Sequence, residues 1–218
     1  MIKLILADEP PDFDAIVRQP AYEECKKLNI ALDAKKPRGV DLPPYWTRMS
    51  KQIHKIYKGV CAYQGMRFAY YSGASTTDHF IAKSKAKTVK LAYEWTNYRL
   101  SSLGANRVKN TRVVLDPCQI EDDWFFLNLT TGEISESKNV DKKLQRRIAQ
   151  TITFLKLNDE ELCEDRRVRW EQFLNREIAI NILKNDYPIV YRQALLQKRI
   201  DISRPSQFDP LTLHHYFS

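Results

Sequence analysis

The sequence predicts an α+β chain, mostly helical, with a short strand-bearing centre set between N-terminal and C-terminal helical regions. Three observations predict it. Apolar residues recur at helical spacing at both ends, as Trp46, Met49, Ile53, Ile56 and Tyr57 and again as Val140, Leu144, Ile148 and Ile152. Between them, VCAYQGMRFAYYSGASTTDHF is rich in aromatic and small residues and is broken by Gly65 and Gly73, the composition of short strands joined by turns. A hydrophobic fraction of 43% with 11% aromatics is enough to pack a core over 218 residues. The regions divide at 1–58, 59–137 and 138–218.

The N-terminal region opens on an apolar run, Ile2 to Leu6, closed by Pro10 and Pro11. A helical stretch from about Asp14 to Leu32 follows, interrupted at Pro20. Pro37, Gly39, Pro43 and Pro44 mark an irregular connector, and the helix that begins near Tyr45 is stopped by Gly59. In the centre, two short strands lead to Asp78 and His79. AKTVKLAYEW then reads as helical, and TNYRLSSLGANRVKN as a loop running into a helix. Strands are expected around Val113–Leu115 and Trp124–Leu129, with a turn at Thr131 and Gly132. In the C-terminal region, Asn158 with Glu161 three positions on reads as a helix N-cap and its reciprocal partner. The helix after it turns Trp170, Phe173, Leu174, Ile178 and Ile182 toward a core and is broken by Pro188. Arg166, Arg167 and Arg169 read as a solvated face.

The formal charge of +8 suits a polyanionic partner, since neutralising phosphates releases condensed counterions. No run of residues approaches the roughly 18 apolar positions of a membrane span, and the first residues lack the pattern of a signal peptide, so a soluble cytoplasmic protein with no membrane partner is expected. Cys25, Cys61, Cys118 and Cys163 form no CxxC pair and are expected to be free, mostly buried thiols.

Hydrolysis of a phosphodiester needs a base near neutral pKa and a divalent cation to neutralise developing charge. Asp78 and His79 supply an oxygen ligand and a base side by side at a strand end. Asn97 follows 18 residues after His79, Asn106 nine residues later at the start of a helix, and Lys109 one turn beyond on the same face. Taken singly, each has an ordinary reading: a surface Asp–His pair, a turn asparagine, a helix cap, a solubilising lysine. Lys83, Lys85, Lys87 and Lys90 likewise read as a solubilising run. Order and spacing within some 30 residues carry the argument.

DHFIAKSK, AYEWTNYRL, ANRVKN and LDP together resemble the HNH endonucleases of the ββα-metal fold. Within them, CAYQG, YEWTNYRL, LDP with its following WFFL, and TITFLKLN with RRVRW are similar to the PtuB-like HNH subunit of Septu-type and retron-associated anti-phage systems. The resemblance runs over about residues 43–175 and is specific in 60–130. It implies an HNH core inserted between the helical regions, with His79 as general base and Asp78 and Asn106 as ligands of Mg²⁺ or Mn²⁺. It also implies Asn97 as the residue orienting the His79 loop and Lys109 as a substrate-phosphate contact. The implied partners are a nucleic-acid substrate, DNA or a host RNA such as tRNA, and an ABC/SMC-like, PtuA-like ATPase. A retron reverse transcriptase with its RNA–DNA hybrid is a further one. Relatives often carry two cysteine pairs binding a structural zinc. Here the positions hold Cys61, Gln64, Ser102 and Ala105, so no structural zinc is expected. The alternative is a catalytically inactive HNH-like nucleic-acid-binding or assembly subunit.

Overall fold

Pro20 shapes the first helical stretch. A proline lacks the N–H that would reach the carbonyl four residues back, and its ring crowds that carbonyl. In the computed structural model, which describes residues 1–72 and 74–201, the chain makes a π-helical turn at Asp14–Arg18 and then helix α1, Gln19–Lys27, with Pro20 in its first turn. Arg18 and Gln19 keep helical backbone, so the helix runs through Pro20 without a break, the π-turn lying just before it, and ends at Lys27, short of the expected Leu32. A 3-10 turn at Tyr45–Met49 leads into α2, Ser50–Ile56, and the pair buries Met49 and Ile53. Gly59 closes it with a left-handed φ of 73° and an N–H donated to the His54 carbonyl.

The centre departs most from expectation. Of two strands expected before residue 80, one forms: β1, Ser75–His79. The earlier segment makes only an isolated bridge between Val60 and Arg67. The partner of β1 is β2, Tyr98–Ser102, in a segment that reads as loop. Tyr98, Arg99, Leu100 and Ser101 are all buried, so no polar face alternates with an apolar one to mark the strand. AKTVKLAYEW forms not one helix but two 3-10 turns, Val89–Tyr93 and Trp95–Asn97. Helix α3, Leu103–Lys109, leaves β2 directly, capped by the Ser102 hydroxyl accepting from the Ala105 N–H, and packs on both strands. Val113–Leu115 forms no strand. β3, Phe125–Leu127, and β4, Ile134–Glu136, pair antiparallel across the turn at Gly132.

Helix α4, Lys142–Phe154, carries the expected stripe, with Ile148 and Ile152 buried, and is capped by Asp141. Helix α5, Glu160–Leu174, starts after Asp159, not Asn158. Asn158 instead accepts from the Ile134 N–H and donates to the Ile134 carbonyl, both at 2.8 Å, as a neighbouring strand would. Trp170 and Phe173 are buried, but the helix stops at Leu174, and Leu174 and Ile182 are exposed. The apolar face expected to run on to 182 is thus cut by the left-handed turn at Arg176 before α6, Ile180–Asp186. Pro188 opens α7, Pro188–Leu196, where its fixed φ suits a first turn. Arg166 is not on a solvated face: it is buried and donates to the Gly132 and Leu157 carbonyls at 2.7 and 2.6 Å. Arg167 and Arg169 do pair with acidic neighbours at the surface. Residues 202–218 of the C-terminal region, and the turn glycine Gly73, lie outside the described residues.

Two apolar clusters flank the centre. One joins Phe13, Val17, Met49 and Ile53 to Tyr93, Trp95, Tyr98 and Leu100. The other joins Met1 and Ile2 to Cys61, Tyr63, β3, β4 and the C-terminal helices, so the first residues pack with the last region. The β1–β2 hairpin is anchored on the first cluster through Tyr98 and Leu100. Among the described residues, no helix is long and apolar enough to cross a membrane. Cys25 and Cys61 are buried, whereas Cys118 and Cys163 are half-buried, and all four are free thiols.

Candidate active site

Strand β1 ends where it must for two successive side chains to serve one site. Adjacent strand residues point to opposite faces, so Asp78 and His79 can converge only where the ladder stops. The last paired position is His79 opposite Tyr98, one further main-chain bond joins Phe80 to the Asn97 carbonyl, and the chain then turns away. A cavity of about 540 Å³ opens at this end, and Thr77, Asp78, His79, Asn106, Lys83 and Arg107 are among the side chains that line it.

The His79 ring is fixed from three sides. Its Nε2 lies 2.9 Å from the Ala92 carbonyl. A carbonyl only accepts, so Nε2 carries the proton and Nδ1 keeps the lone pair. Trp46 meets the ring edge-on at 4.7 Å and Tyr98 at 5.3 Å. Burial lowers the imidazole pKa to about 4, with Lys83 and Lys109 adding in the same direction and the Ala92 hydrogen bond opposing. His79 is therefore neutral at pH 7 with its lone pair on Nδ1, but burial makes it a weaker base than the near-neutral one that the sequence leads one to expect.

Asn97 is buried and clamps the chain beyond His79. Its Oδ1 accepts from the Ile81 N–H at 2.7 Å, and its Nδ2 donates to the Ile81 and Leu91 carbonyls at 3.1 and 3.0 Å. Its own carbonyl accepts from the Phe80 N–H at 2.8 Å. These bonds tie the segment after β1 to the segment before β2, the geometry that a loop-positioning side chain requires.

Asp78 is buried and accepts from the Tyr63 hydroxyl and from Lys109, whose Nζ lies 2.9 Å from Oδ2 and 3.3 Å from Oδ1. Lys109 also donates to the His79 carbonyl at 3.0 Å and has no exposed surface. This placement is not that of a phosphate contact. The ammonium points inward, near the Tyr63 and Phe80 rings, to the carboxylate it neutralises. The cations that do line the cavity are Lys36, Lys83 and Arg107. Lys83 stands 4.0 Å over the Trp46 ring, and burial lowers its pKa, with Lys36 contributing. The lysine run is thus split. Lys85 and Lys87 are exposed, Lys90 pairs with Asp33, and Lys83 turns into the cavity.

Asn106 donates through Nδ2 to the Thr76 hydroxyl at 3.1 Å, which leaves its Oδ1 as an acceptor on the cavity wall. Thr77, on the same wall, has a buried hydroxyl with no protein partner. Among the described residues no three His, Cys, Asp or Glu side chains gather around one point. A hard cation such as Mg²⁺ needs no such cage, because it keeps several waters and is bound by one or two oxygen ligands plus substrate phosphates. Asp78 and Asn106 fit that donor set in chemistry, although Lys109 already neutralises the Asp78 carboxylate.

Two features escape a reading of the sequence. Arg99, opposite Asp78 on β2, makes a bidentate buried pair with Asp116 at 2.9 and 2.6 Å and donates to the Thr96 and Tyr98 carbonyls. The YRL and LDP segments contain these residues, but spacing alone does not pair them. The other is how Cys61, Gln64, Ser102 and Ala105, the four positions that the resemblance groups together, are joined to one another. The Ser102 hydroxyl donates to Gln64 Oε1 at 3.0 Å, its N–H to Cys61 Sγ at 3.5 Å, and it accepts from the Ala105 N–H at 3.2 Å. Hydrogen bonds join the four positions and fix the start of α3. The chain matches no family model and no curated protein.

Proposed function

We propose that the chain is a metal-dependent phosphodiesterase of the HNH type with a ββα-metal centre, acting on nucleic acid. The observation that carries this reading is a neutral histidine, its Nε2 held by the Ala92 carbonyl, sharing a cavity with two oxygen donors and three cations. Water is deprotonated by His79 Nδ1, and the resulting imidazolium keeps its Nε2 bond to Ala92. Lys83 and Arg107 hold the phosphate, and Asn97 keeps the His79 segment from shifting. A bound Mg²⁺ or Mn²⁺, held by Asp78 and Asn106, would offset charge on the scissile phosphate and leaving oxygen. The resemblance extends the proposal to an effector role in anti-phage defence. Its partners would then be an ABC/SMC-like ATPase and, in a retron setting, a reverse transcriptase with its RNA–DNA hybrid. Chemistry at the phosphodiester does not by itself choose DNA over RNA.

One observation favours a non-catalytic scaffold: the Lys109 ammonium lies on the carboxylate that would hold the metal. The two readings part on a single comparison. Wild-type protein and His79→Ala are incubated with plasmid DNA and bulk tRNA, with Mg²⁺, Mn²⁺ or EDTA. The nuclease reading expects cleavage that needs metal and falls at least ~10²-fold in the variant. Cleavage surviving EDTA or His79→Ala would overturn it, and the scaffold reading expects no cleavage under any of these conditions.

A further inference from the structure

A second cleft runs along α2, separate from the cavity at His79. It measures about 590 Å³ and is lined by Lys51, Lys55, Lys58, Arg67, Tyr70 and Tyr71. Lys51 and Lys55 stand one turn apart on the exposed face of α2 and Lys58 in the turn that follows, opposite the face that buries Ile53. All three are exposed, and among the described residues none has an acidic partner. Arg67 is paired with Asp186 at 2.9 Å, so the free positive charge is that of the lysines.

The aromatic side of the cleft is built, not incidental. His54 Nε2 donates to the Phe68 carbonyl at 3.0 Å, and the ring meets Phe68 and Tyr70 edge-on, each at 5.3 Å. Tyr70 in turn meets Tyr71 edge-on at 5.8 Å. Gly59 presses on His54 as well, where a Cβ would lie 2.8 Å from Cε1. This ladder ends in Tyr71, which is 91% exposed. A ring held from one side and open on the other, bordered by three unpaired ammonium groups, has the parts of a single-strand site: cations that track the backbone and a platform for a base.

The cleft is also placed for that use. The Tyr70–Ser72 turn packs against β1, and α2 does too. β1, about 17 Å long at ~3.3 Å per residue, runs from that end to Asp78 and His79. We infer that the Lys51–Lys55–Lys58 cleft with Tyr71 is a single-stranded nucleic-acid subsite, holding the strand beyond the phosphate presented to His79. The inference rests on the nuclease reading for its orientation, but its test does not depend on cleavage.

Binding is measured by fluorescence anisotropy with the full chain in EDTA, using labelled single strands of DNA and RNA, about 20 nucleotides long, over a range of salt. Tyr71→Ala is expected to weaken binding about 5- to 100-fold, and to have no effect on a strand made abasic throughout. Lys51→Ala/Lys55→Ala/Lys58→Ala is expected to reduce the slope of log affinity against log salt by about 2, at roughly 0.7 for each phosphate no longer neutralised. A strand carrying 5-iodouracil is expected to photo-crosslink to Tyr71. All four positions are exposed, and unchanged melting temperatures would show that the variants fold. Binding unaltered by both variants would overturn the subsite and leave the His79 chemistry standing. Equal losses on intact and abasic strands would overturn the stacking role of Tyr71. Metal-dependent cleavage absent in an otherwise strand-binding protein would sink the nuclease reading and leave the subsite.

Discussion

Replacing Lys109 with methionine keeps most of the side chain's length and removes its ammonium. In the fold that group sits 2.9 Å from Asp78 Oδ2 and 3.0 Å from the His79 carbonyl, with side-chain exposures of 0% for Lys109 and 5% for Asp78. Deleting one member of such a pair strands the other charge away from water, at a cost of about 3–5 kcal/mol. Deleting both charges, in Lys109→Met/Asp78→Asn, leaves a neutral amide against the Tyr63 hydroxyl and restores much of the loss. The coupling between the two sites should reach up to about 3 kcal/mol. Urea unfolding followed by circular dichroism, on the two single variants and the double, gives every corner of that cycle. A Lys109→Met loss below about 1 kcal/mol, the value of a surface pair, together with no coupling to Asp78, would refute the pairing. If that variant instead lost nucleic-acid affinity at unchanged stability, Lys109 would be the phosphate contact that the family resemblance implies.

The His79 pKa of about 4, against 6.5 when unfolded, ties stability to pH. The unfolded chain binds the proton first, so the contribution is complete above pH 6.5 and falls by ~3 kcal/mol as the pH drops to about 4. Subtracting the pH profile of His79→Gln from that of the wild type isolates the effect, and a flat difference would contradict the burial of the ring. Gly132→Ala should unfold the protein or cost several kcal/mol, since a Cβ would stand 1.9 Å from the Cys163 carbonyl oxygen at a φ of 75°; a thermal melt indistinguishable from the wild type would count against it. Lys83→Ala and Arg107→Ala should raise KM for nucleic acid several-fold each; Arg107→Ala should leave the melting temperature nearly unchanged, and Lys83→Ala should lower it by no more than the loss of its contact with Trp46, about 0.5–2 kcal/mol. Steady-state cleavage assays and melts on the same samples check this, and an effect on stability alone would remove them from the phosphate site.

The end of β1 at His79 was readable around the site, and so was the helix that carries Asn106. The strand beside β1 was not. β2 is buried almost throughout, and Arg99 within it looks polar until Asp116, 17 positions on, is seen to neutralise it. The resemblance, with the order and spacing of the residues, points to Asn97 and Asn106, but the partners of Asn97 are backbone groups, which a sequence does not display. Lys109 shows the limit most clearly. Spacing placed it on the Asn106 face of α3, yet a single turn of a helix carries a long side chain either to solvent or inward, and only the neighbouring carboxylate decides. Lys83 errs the other way: the Trp46 ring, 37 residues earlier, lifts it out of a run of otherwise ordinary surface lysines. The cap expected at Asn158 falls one residue on, at Asp159, because the Asn158 amide satisfies Ile134, a contact across 24 positions that outweighs a local cap.

The acceptor that fixes the His79 tautomer is a main-chain carbonyl, and that has a consequence for heredity. No single amino-acid exchange at position 92 deletes it, although Ala92 is buried in the first cluster and only a side chain of about its own size leaves the carbonyl where it is. The histidine can be lost in one step, whereas its orientation is inherited through the path of Val89–Tyr93. Alanine scanning would therefore register His79 and pass over what orients it. An insertion or deletion in that turn, or an ester in place of the amide after Ala92, would reach it.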